Sequence, residues 1–450
     1  MSNYARDKKL ERLYTLDLYN KMVKDPVGPD NKQLLKQKQQ VHLQELMRIA
    51  YQIPFYRERF ERSNTTPADY QVAEDLYKFP ILTKDELRDW MDDEIERFPE
   101  KYKYWSVAPT SGSTGRPLRT LRSPREHAFT VANWLRVMTL PGYNPFRGKT
   151  MSRPNSLHAP GGKVAEYDSP LQRLGILRRK YMSDTIQNRV DTQVLVDEIN
   201  AYKPDYLYNH ANVLARIAQY VKDNNLTIWQ PKFYSPVSEM TTPAMEALMK
   251  DVFGPGFVNP YGMSETDSCV VKLPGRDYFQ VISDDYVVNT YADDLRNPSL
   301  NGMAVVTPLM KKDLPLINYC TLDYMETYME DGLRYVTNII GRMNDVIYHA
   351  DGGITEWGNI GVVMNYLPEV VAYRIIQDVP GKIHVLLVRN SDVDASRNDE
   401  IVAKMEEGMQ RIFRDDTMEI THEWVEDIPS DANGKLRVIV SHVKAPGKEA

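Results

Sequence analysis

A large α/β part followed by a smaller α+β unit is the fold class this sequence predicts, and three stretches predict it. Between residues 204 and 262 the strand-like runs "PDYLYNH", "KFYSPVS" and "GFVNPYG" alternate with helix-length segments at 211–224 and 243–252. Strand and helix in alternation imply a mostly parallel sheet with both faces covered. After about residue 276 the texture changes to consecutive strands, "YFQVISDDYVVNTY", "GMAVVTPLM" and "LPLINYCTLDYMETY". Beyond "GRMNDVI" (341–347) the order is helix 356–366, strand 369–377, strand 382–388, helix 397–414 and strand 418–425. That order fits a compact α+β unit, and it sets the expected division into residues 1–340 and 341–450.

The N-terminal elements follow from periodicity and punctuation. Residues 34–62 space their apolar side chains as a helix does, with a break at Pro54. "LTKDELRDWM" opens with a capping box, Thr83 to Glu86. "HAFTVANWLRVM" (127–138) and "TQVLVDEINAY" (192–202) also read as helices. No internal repeat or low-complexity tract interrupts the 450 residues, which suffice for a sizeable core.

Composition excludes several classes. A net charge of −6 implies no basic surface for nucleic acid. No apolar run approaches the length of a membrane span, and the charged start "MSNYARDKKLERLY" lacks the apolar centre of a signal peptide, so a cytoplasmic setting is expected. Cys269 and Cys320 cannot make a disulfide framework. The 28 tyrosines outnumber the 11 phenylalanines, which suits half-buried places needing an apolar ring and a polar tip.

The segment "TSGSTGRP" (110–117) offers backbone N–H groups and hydroxyls of the kind that cradle a phosphate. It is not a P-loop: Gly112 and Gly115 stand too close, and Pro117 occupies the place of the magnesium-binding hydroxyl. By itself it reads equally well as a surface loop. "NPYGMSETD" (259–267), "TLD" (321–323), "GRMNDVI" (341–347) and "ANGKLRV" (432–438) follow it in order. Together these five motifs resemble the adenylate-forming superfamily of acyl- and aryl-CoA ligases and adenylation domains. "IPFYRERF" and "DLYKFPILTKDELRDWM" sharpen the likeness to its phenylacetate–CoA ligase branch. The likeness runs from about residue 40 to 440.

The resemblance implies a large multi-sheet N-terminal α/β domain and a small mobile C-terminal lid, with the active site in the cleft between them. It also implies two steps: a carboxylate attacks the α-phosphorus of Mg-ATP to give acyl-AMP and pyrophosphate, and a thiol, usually coenzyme A, then displaces AMP. Catalysis of this kind is mainly positioning and charge neutralisation. Carried over, Ser111, Ser113 and Thr114 donate to the β- and γ-phosphates, and Gly112 and Gly115 allow close approach. Arg116 stands where the family usually has lysine, which keeps the charge and changes the geometry. Glu265 holds Mg²⁺, Ser264 touches the α-phosphate, and Tyr261, beside Gly262, stacks on adenine. Ser238 and Glu239 line the adenine and acyl pockets, with a helix cap as the alternative for Glu239. Asp323 accepts from both ribose hydroxyls, near Arg342. Asn344 takes the hinge position, and Lys435 bridges the attacking carboxylate and the α-phosphate. Tyr208, His210, Tyr234 and Met263 border the acyl pocket, which would suit an aromatic or flat acid.

Two departures matter. The loop "YHADGGITEW" replaces an Arg-Gly-rich, proline-bearing version that meets the nucleophile in the family, so the departure bears on the second half-reaction rather than the first. Two cysteines with no histidine between them make no closed zinc site, so zinc is not expected. Three functions follow: a carboxylate–CoA ligase, an adenylating enzyme that loads an amine or a carrier-protein thiol, or a nucleotide-binding module without catalysis. Joint retention of Glu265, Asp323 and Lys435 opposes the third.

Overall fold

A computed structural model describes residues 14–23, 31–103, 105–109, 118–153, 177–183, 190–238, 243–292, 294–342, 346–356, 369–389, 393–413, 417–426 and 438–443, with a few single positions between them. The chain forms two compact units. One comprises 1–209, 229–238 and 253–339, and the other 210–228, 239–252 and 340–450.

In the first unit α1 (Lys32–Ala50) gives way to α2 (Pro54–Arg62), with Pro54 at the first helical position, where its missing N–H costs nothing. The predicted capping box opens α3 (Lys84–Arg97): Thr83 N donates to Glu86 at 2.9 Å and Glu86 N to Thr83 Oγ1 at 3.3 Å. The helix expected from 127 begins earlier, as α4 (Pro124–Thr139), because Ser123 and Glu126 make a second capping box. α1, α2 and α3 pool an aromatic core, with Phe55 stacked on Trp90 at 4.3 Å and Phe60, Tyr70 and Phe79 meeting edge to face. The buried Tyr56 keeps its hydroxyl partnered, donating to the Pro315 carbonyl at 2.6 Å. Burial raises the pKa of Tyr56 accordingly.

β1 (Ser106–Pro109) and β2 (Arg119–Arg122) pair antiparallel on either side of the segment 110–117, which lies outside the described residues. The expected parallel sheet is present as β4 (Arg178–Tyr181), β3 (Lys149–Ser152), β5 (Tyr206–His210) and β6 (Phe233–Val237), in that spatial order. α5 (Thr192–Tyr202) precedes β5, while α6 (Ala211–Asp223) and α7 (Pro243–Phe253) follow β5 and β6 in the chain. Beside β6, Tyr234 N donates to Gly256 O at 3.0 Å and Val258 N to Tyr234 O at 2.9 Å. That pairing leads the chain straight into a second sheet.

The second sheet has seven strands. They are β7 (Asn259–Met263), β8 (Asp267–Lys272), β9 (Phe279–Val281), β10 (Tyr286–Tyr291), β11 (Asn301–Pro308), β12 (Tyr319–Glu330) and β13 (Leu333–Arg342), in the order β10-β11-β12-β13-β9-β8-β7. Its neighbours β7–β8, β8–β9, β10–β11 and β11–β12, consecutive in the chain, run antiparallel, and so does the non-consecutive pair β9–β13.

In the second unit a β14 (Val346–Tyr348) to β15 (Ile354–Glu356) hairpin precedes a four-stranded sheet of order β18-β17-β16-β19: Glu419–Trp424, Lys382–Arg389, Val370–Val379 and Ile439–Ser441. α8 (Asn398–Phe413) buries Ile401, Met405, Met409 and Phe413 against Ile375, Val385 and Leu387. The helix expected from 356 cannot start there, since Glu356 closes β15; the described positions 360, 363 and 364 are helical. Among the described residues no helix is long and apolar enough to cross a membrane.

Arg136 on α4 is buried at 1 % exposure and reaches Asp285 and Asp284, each at 2.6 Å. Arg136→Leu strands two buried acids and should lower unfolding free energy by about 3–5 kcal/mol in urea titrations; a loss below about 1 kcal/mol would contradict this reading of the core.

Candidate active site

The hairpin from β7 to β8 carries the motif "YGMSETD", ending one strand, turning, and starting the next. Gly262 has a steric reason to be glycine: a Cβ there would sit 2.0 Å from the Asp267 carbonyl oxygen across the hairpin. In the turn Ser264 is exposed and Glu265 is buried. Tyr319, the first residue of β12, donates its hydroxyl to Glu265 Oε1 at 3.1 Å.

The backbone of this turn is tied down from below. Arg122 at the end of β2 donates to the Ser264 carbonyl and, at 3.1 Å, to Asp267 Oδ1. Lys311 donates to the Glu265 carbonyl and lies 3.6 Å from Asp267 Oδ2, which also accepts from Thr130 at 3.1 Å. Asp267 holds a φ of 62°, in the left-handed region that a non-glycine residue occupies at a cost, and these contacts supply the compensation. Burial pulls the Lys311 ammonium below its usual pKa, with the Asp267 charge opposing the shift. Glu126 lies beneath the same group and accepts from the backbone N–H groups of Asp313 and Leu314 at 3.1 and 3.0 Å. Its burial pushes the carboxyl up to about 7, although the nearby Lys311 works the other way.

Tyr261 on β7 donates its hydroxyl to Asp323 Oδ2 on β12 at 2.6 Å. Burial, with the Asp323 charge next, raises that phenol well above its ordinary pKa. Three strands, β13, β9 and β8, separate β7 from β12 in the sheet order. Four strand spacings amount to about 19 Å in a flat sheet. The sheet therefore curls until β12 meets the β7 end, and the expected adenine, ribose and metal residues Tyr261, Asp323 and Glu265 come to one wall.

The expected acyl-pocket residues do not behave alike. Tyr208 is buried on β5, with Arg179 on its hydroxyl and Trp134 edge-on at 5.1 Å. Met263 is half-buried, Ser238 exposed, and His210 half-buried at the end of β5. Tyr234 is fully buried between Phe253 and Phe257, and its hydroxyl goes to the Gly254 carbonyl at 2.9 Å. Its ring and hydroxyl are thus engaged as core, which corrects its expected place on a pocket surface. Ser111, Gly112, Ser113, Thr114, Gly115, Arg116, Glu239, Asn344 and Lys435 lie outside the described residues. The backbone of Arg342 ends β13.

In the divergent loop, His349 is buried, with Nε2 2.8 Å from Thr355 Oγ1 and Nδ1 3.2 Å from Asp415. Asp351 accepts from Gly353 N at 2.8 Å. These bonds pin the turn through its side chains. Cys269 and Cys320 are buried and not disulfide-bonded.

Sequence reasoning missed Arg122, Glu126, Asp267, Lys311 and Tyr319. Each stands beside polar or charged neighbours in the sequence, so no local pattern marks it as buried or names its partners.

A family model for the CapK C-terminal domain matches residues 347–442. Protein CapK of Staphylococcus aureus is 24 % identical over 413 residues, covering 87 % of this chain and 85 % of that protein. A phenylacetate–coenzyme A ligase of Aromatoleum evansii is 22 % identical over 348 residues, covering 72 % and 74 %. Among solved structures, 2-hydroxyisobutyryl-CoA ligase in complex with 2-HIB-AMP aligns with a TM-score of 0.65 at 16 % identity, over 90 % of this chain and 88 % of that one. The chain has the adenylate-forming fold, and in sequence it resembles phenylacetate–CoA ligase. Within that fold the curled sheet and its β7–β8 turn carry described residues of the candidate site.

Because folding raises the Glu126 pKa from 4.5 to about 7, the folded state binds the extra proton between those values. The stability from this group is complete below pH 4.5 and is lost as pH rises through about 7. Glu126→Gln removes that dependence. The stability of wild type relative to the variant should fall by on the order of 1–3 kcal/mol between pH 5 and 8 in denaturant titrations; parallel pH profiles would contradict it.

Proposed function

We propose that this chain is an AMP-forming acid–CoA ligase that activates a carboxylic acid as its acyl-adenylate and then forms the acyl-CoA thioester, with an aromatic or similarly flat acid as substrate. The observation that carries the reading is the convergence of Tyr261, Asp323 and Glu265 from β7, β12 and the turn after β7. The phenylacetate–coenzyme A ligases of Aromatoleum evansii and Pseudomonas putida, at 22 % and 23 % identity, support the reaction class and favour coenzyme A over an amine or carrier acceptor.

The chemistry follows from charge. An acid's carboxylate is a weak electrophile, and attack by its oxygen on the α-phosphorus of ATP, with pyrophosphate leaving, installs AMP as a leaving group. The thiolate of coenzyme A then attacks the acyl carbon and AMP departs. Asp323 offers two acceptor oxygens to a cis-diol, and binding of the ribose would displace the Tyr261 hydroxyl from one of them. Displacement frees the Tyr261 ring to orient against the base. A single hard carboxylate, Glu265, with one oxygen already oriented by Tyr319, suits magnesium, which binds through one or two carboxylates plus substrate phosphates. When bound, magnesium would neutralise triphosphate charge. Residues 110–117 and Lys435 complete this reading as phosphate donors and as the cation between carboxylate and α-phosphate.

Acid-dependent ATP–pyrophosphate exchange over aromatic, heteroaromatic and aliphatic acids tests it. Exchange should be fastest with an aromatic acid, and Glu265→Gln should lower it about a hundredfold or more. Lys435→Ala should cut adenylation by about 10²–10³ while sparing thioester formation from supplied acyl-AMP. Absence of exchange with every acid, despite nucleotide binding, would instead favour a module without catalysis.

A further inference from the structure

We propose that Lys311, Arg122 and Tyr319 are positioning residues that fix the orientation of Glu265 for a metal-bound triphosphate. The proposal rests on the reading of Glu265 as the magnesium acid and adds what aims it.

The geometry is specific. Glu265 Cα lies between two peptide planes, one carrying the Ser264 carbonyl and the next carrying its own. Arg122 donates to the first carbonyl and Lys311 to the second. A peptide unit is planar, so holding its carbonyl holds the whole plane. With both flanking planes held, φ and ψ of Glu265 are fixed, and so is the direction of its Cα–Cβ bond. Tyr319 then fixes the far end, because its hydroxyl occupies Oε1 at 3.1 Å. Backbone and carboxylate are set independently, from β2, from the segment before β12 and from β12 itself.

The charges agree with this role. A cation facing a metal-binding carboxylate would oppose a divalent ion. Here both cations bond main-chain carbonyls and share Asp267 as their counter-ion, at 3.1 Å from Arg122 and 3.6 Å from Lys311. Lys311 is 2 % exposed, a costly place for an ammonium unless its bonds are needed. Purely structural anchoring of a β-hairpin needs no buried lysine, since the β7–β8 ladder already pairs Met263 with Asp267 and Gly262 with Ser268.

The test separates aiming from folding. Calorimetry would follow a non-hydrolysable ATP analogue at several Mg²⁺ concentrations, and AMP without metal, on wild type, Glu265→Gln, Lys311→Met and Tyr319→Phe. The proposal predicts that Lys311→Met weakens the Mg²⁺-dependent binding about tenfold or more, and Tyr319→Phe about three- to tenfold. AMP, which uses Tyr261 and Asp323, should change by less than about threefold in both. Equal weakening of AMP and analogue, or no change in either, overturns the proposal. If Lys311→Met does not fold, Tyr319→Phe decides by the same criteria. Wild type and Glu265→Gln with the same Mg²⁺ dependence would overturn the metal reading of Glu265 itself, a result distinct from failure of the positioning variants alone.

Discussion

The curl of the seven-stranded sheet is the constraint on which the described site depends. Tyr261 and Asp323 are 62 residues apart, and Tyr319 and Glu265 are 54 apart. Each pair meets because β12 closes on the β7 end despite three intervening strands. Flattening the sheet would part Asp323 from Tyr261 and Tyr319 from Glu265 at once. The contact itself is modest, two side-chain hydrogen bonds, but the curl behind it is held by a core that includes Val270, Val288, Val306 and Val336. Local chemistry at this wall is therefore inherited from the packing of the whole sheet.

Electrostatics then refine what packing places. Beneath the turn lie two cations, Arg122 and Lys311, and two acids, Asp267 and Glu126. Placing charge away from water is costly, and the pairings offset that cost. Asp267 has two cations and a threonine hydroxyl at its oxygens. Glu126 has mainly backbone donors, and its carboxyl moves up to about 7. An acid poised there adds proton uptake beside the Lys311 ammonium. Arg136 with Asp284 and Asp285 repeats the arrangement in the neighbouring core. Its partner Asp285 is also pushed up to about 7 by burial and by the adjacent Asp284.

Much of this was legible in the sequence where the signal is local. Pro54 marks a helix break, Thr83 and Glu86 a cap, and the alternation between 204 and 262 the neighbouring strands β5 and β6, while its third run enters the second sheet as β7. Strands of three residues, such as β14, β15 and β19, span too little of a period to be read. Likewise the bond from Lys311 to Glu265 crosses 46 positions and leaves no local trace. Tyr234 shows the opposite error: an aromatic beside a motif reads as pocket, yet three-dimensional packing with Phe253 and Phe257 makes it core.

The proposed activity requires a magnesium nucleotide lying along the curled wall. A crystal structure with a bound ATP analogue and Mg²⁺ tests this most directly. It should show ribose hydroxyls on Asp323 in place of the Tyr261 hydroxyl, the metal at Glu265, and the triphosphate against residues 110–117. A nucleotide bound elsewhere, with the Tyr261–Asp323 bond intact, would contradict it.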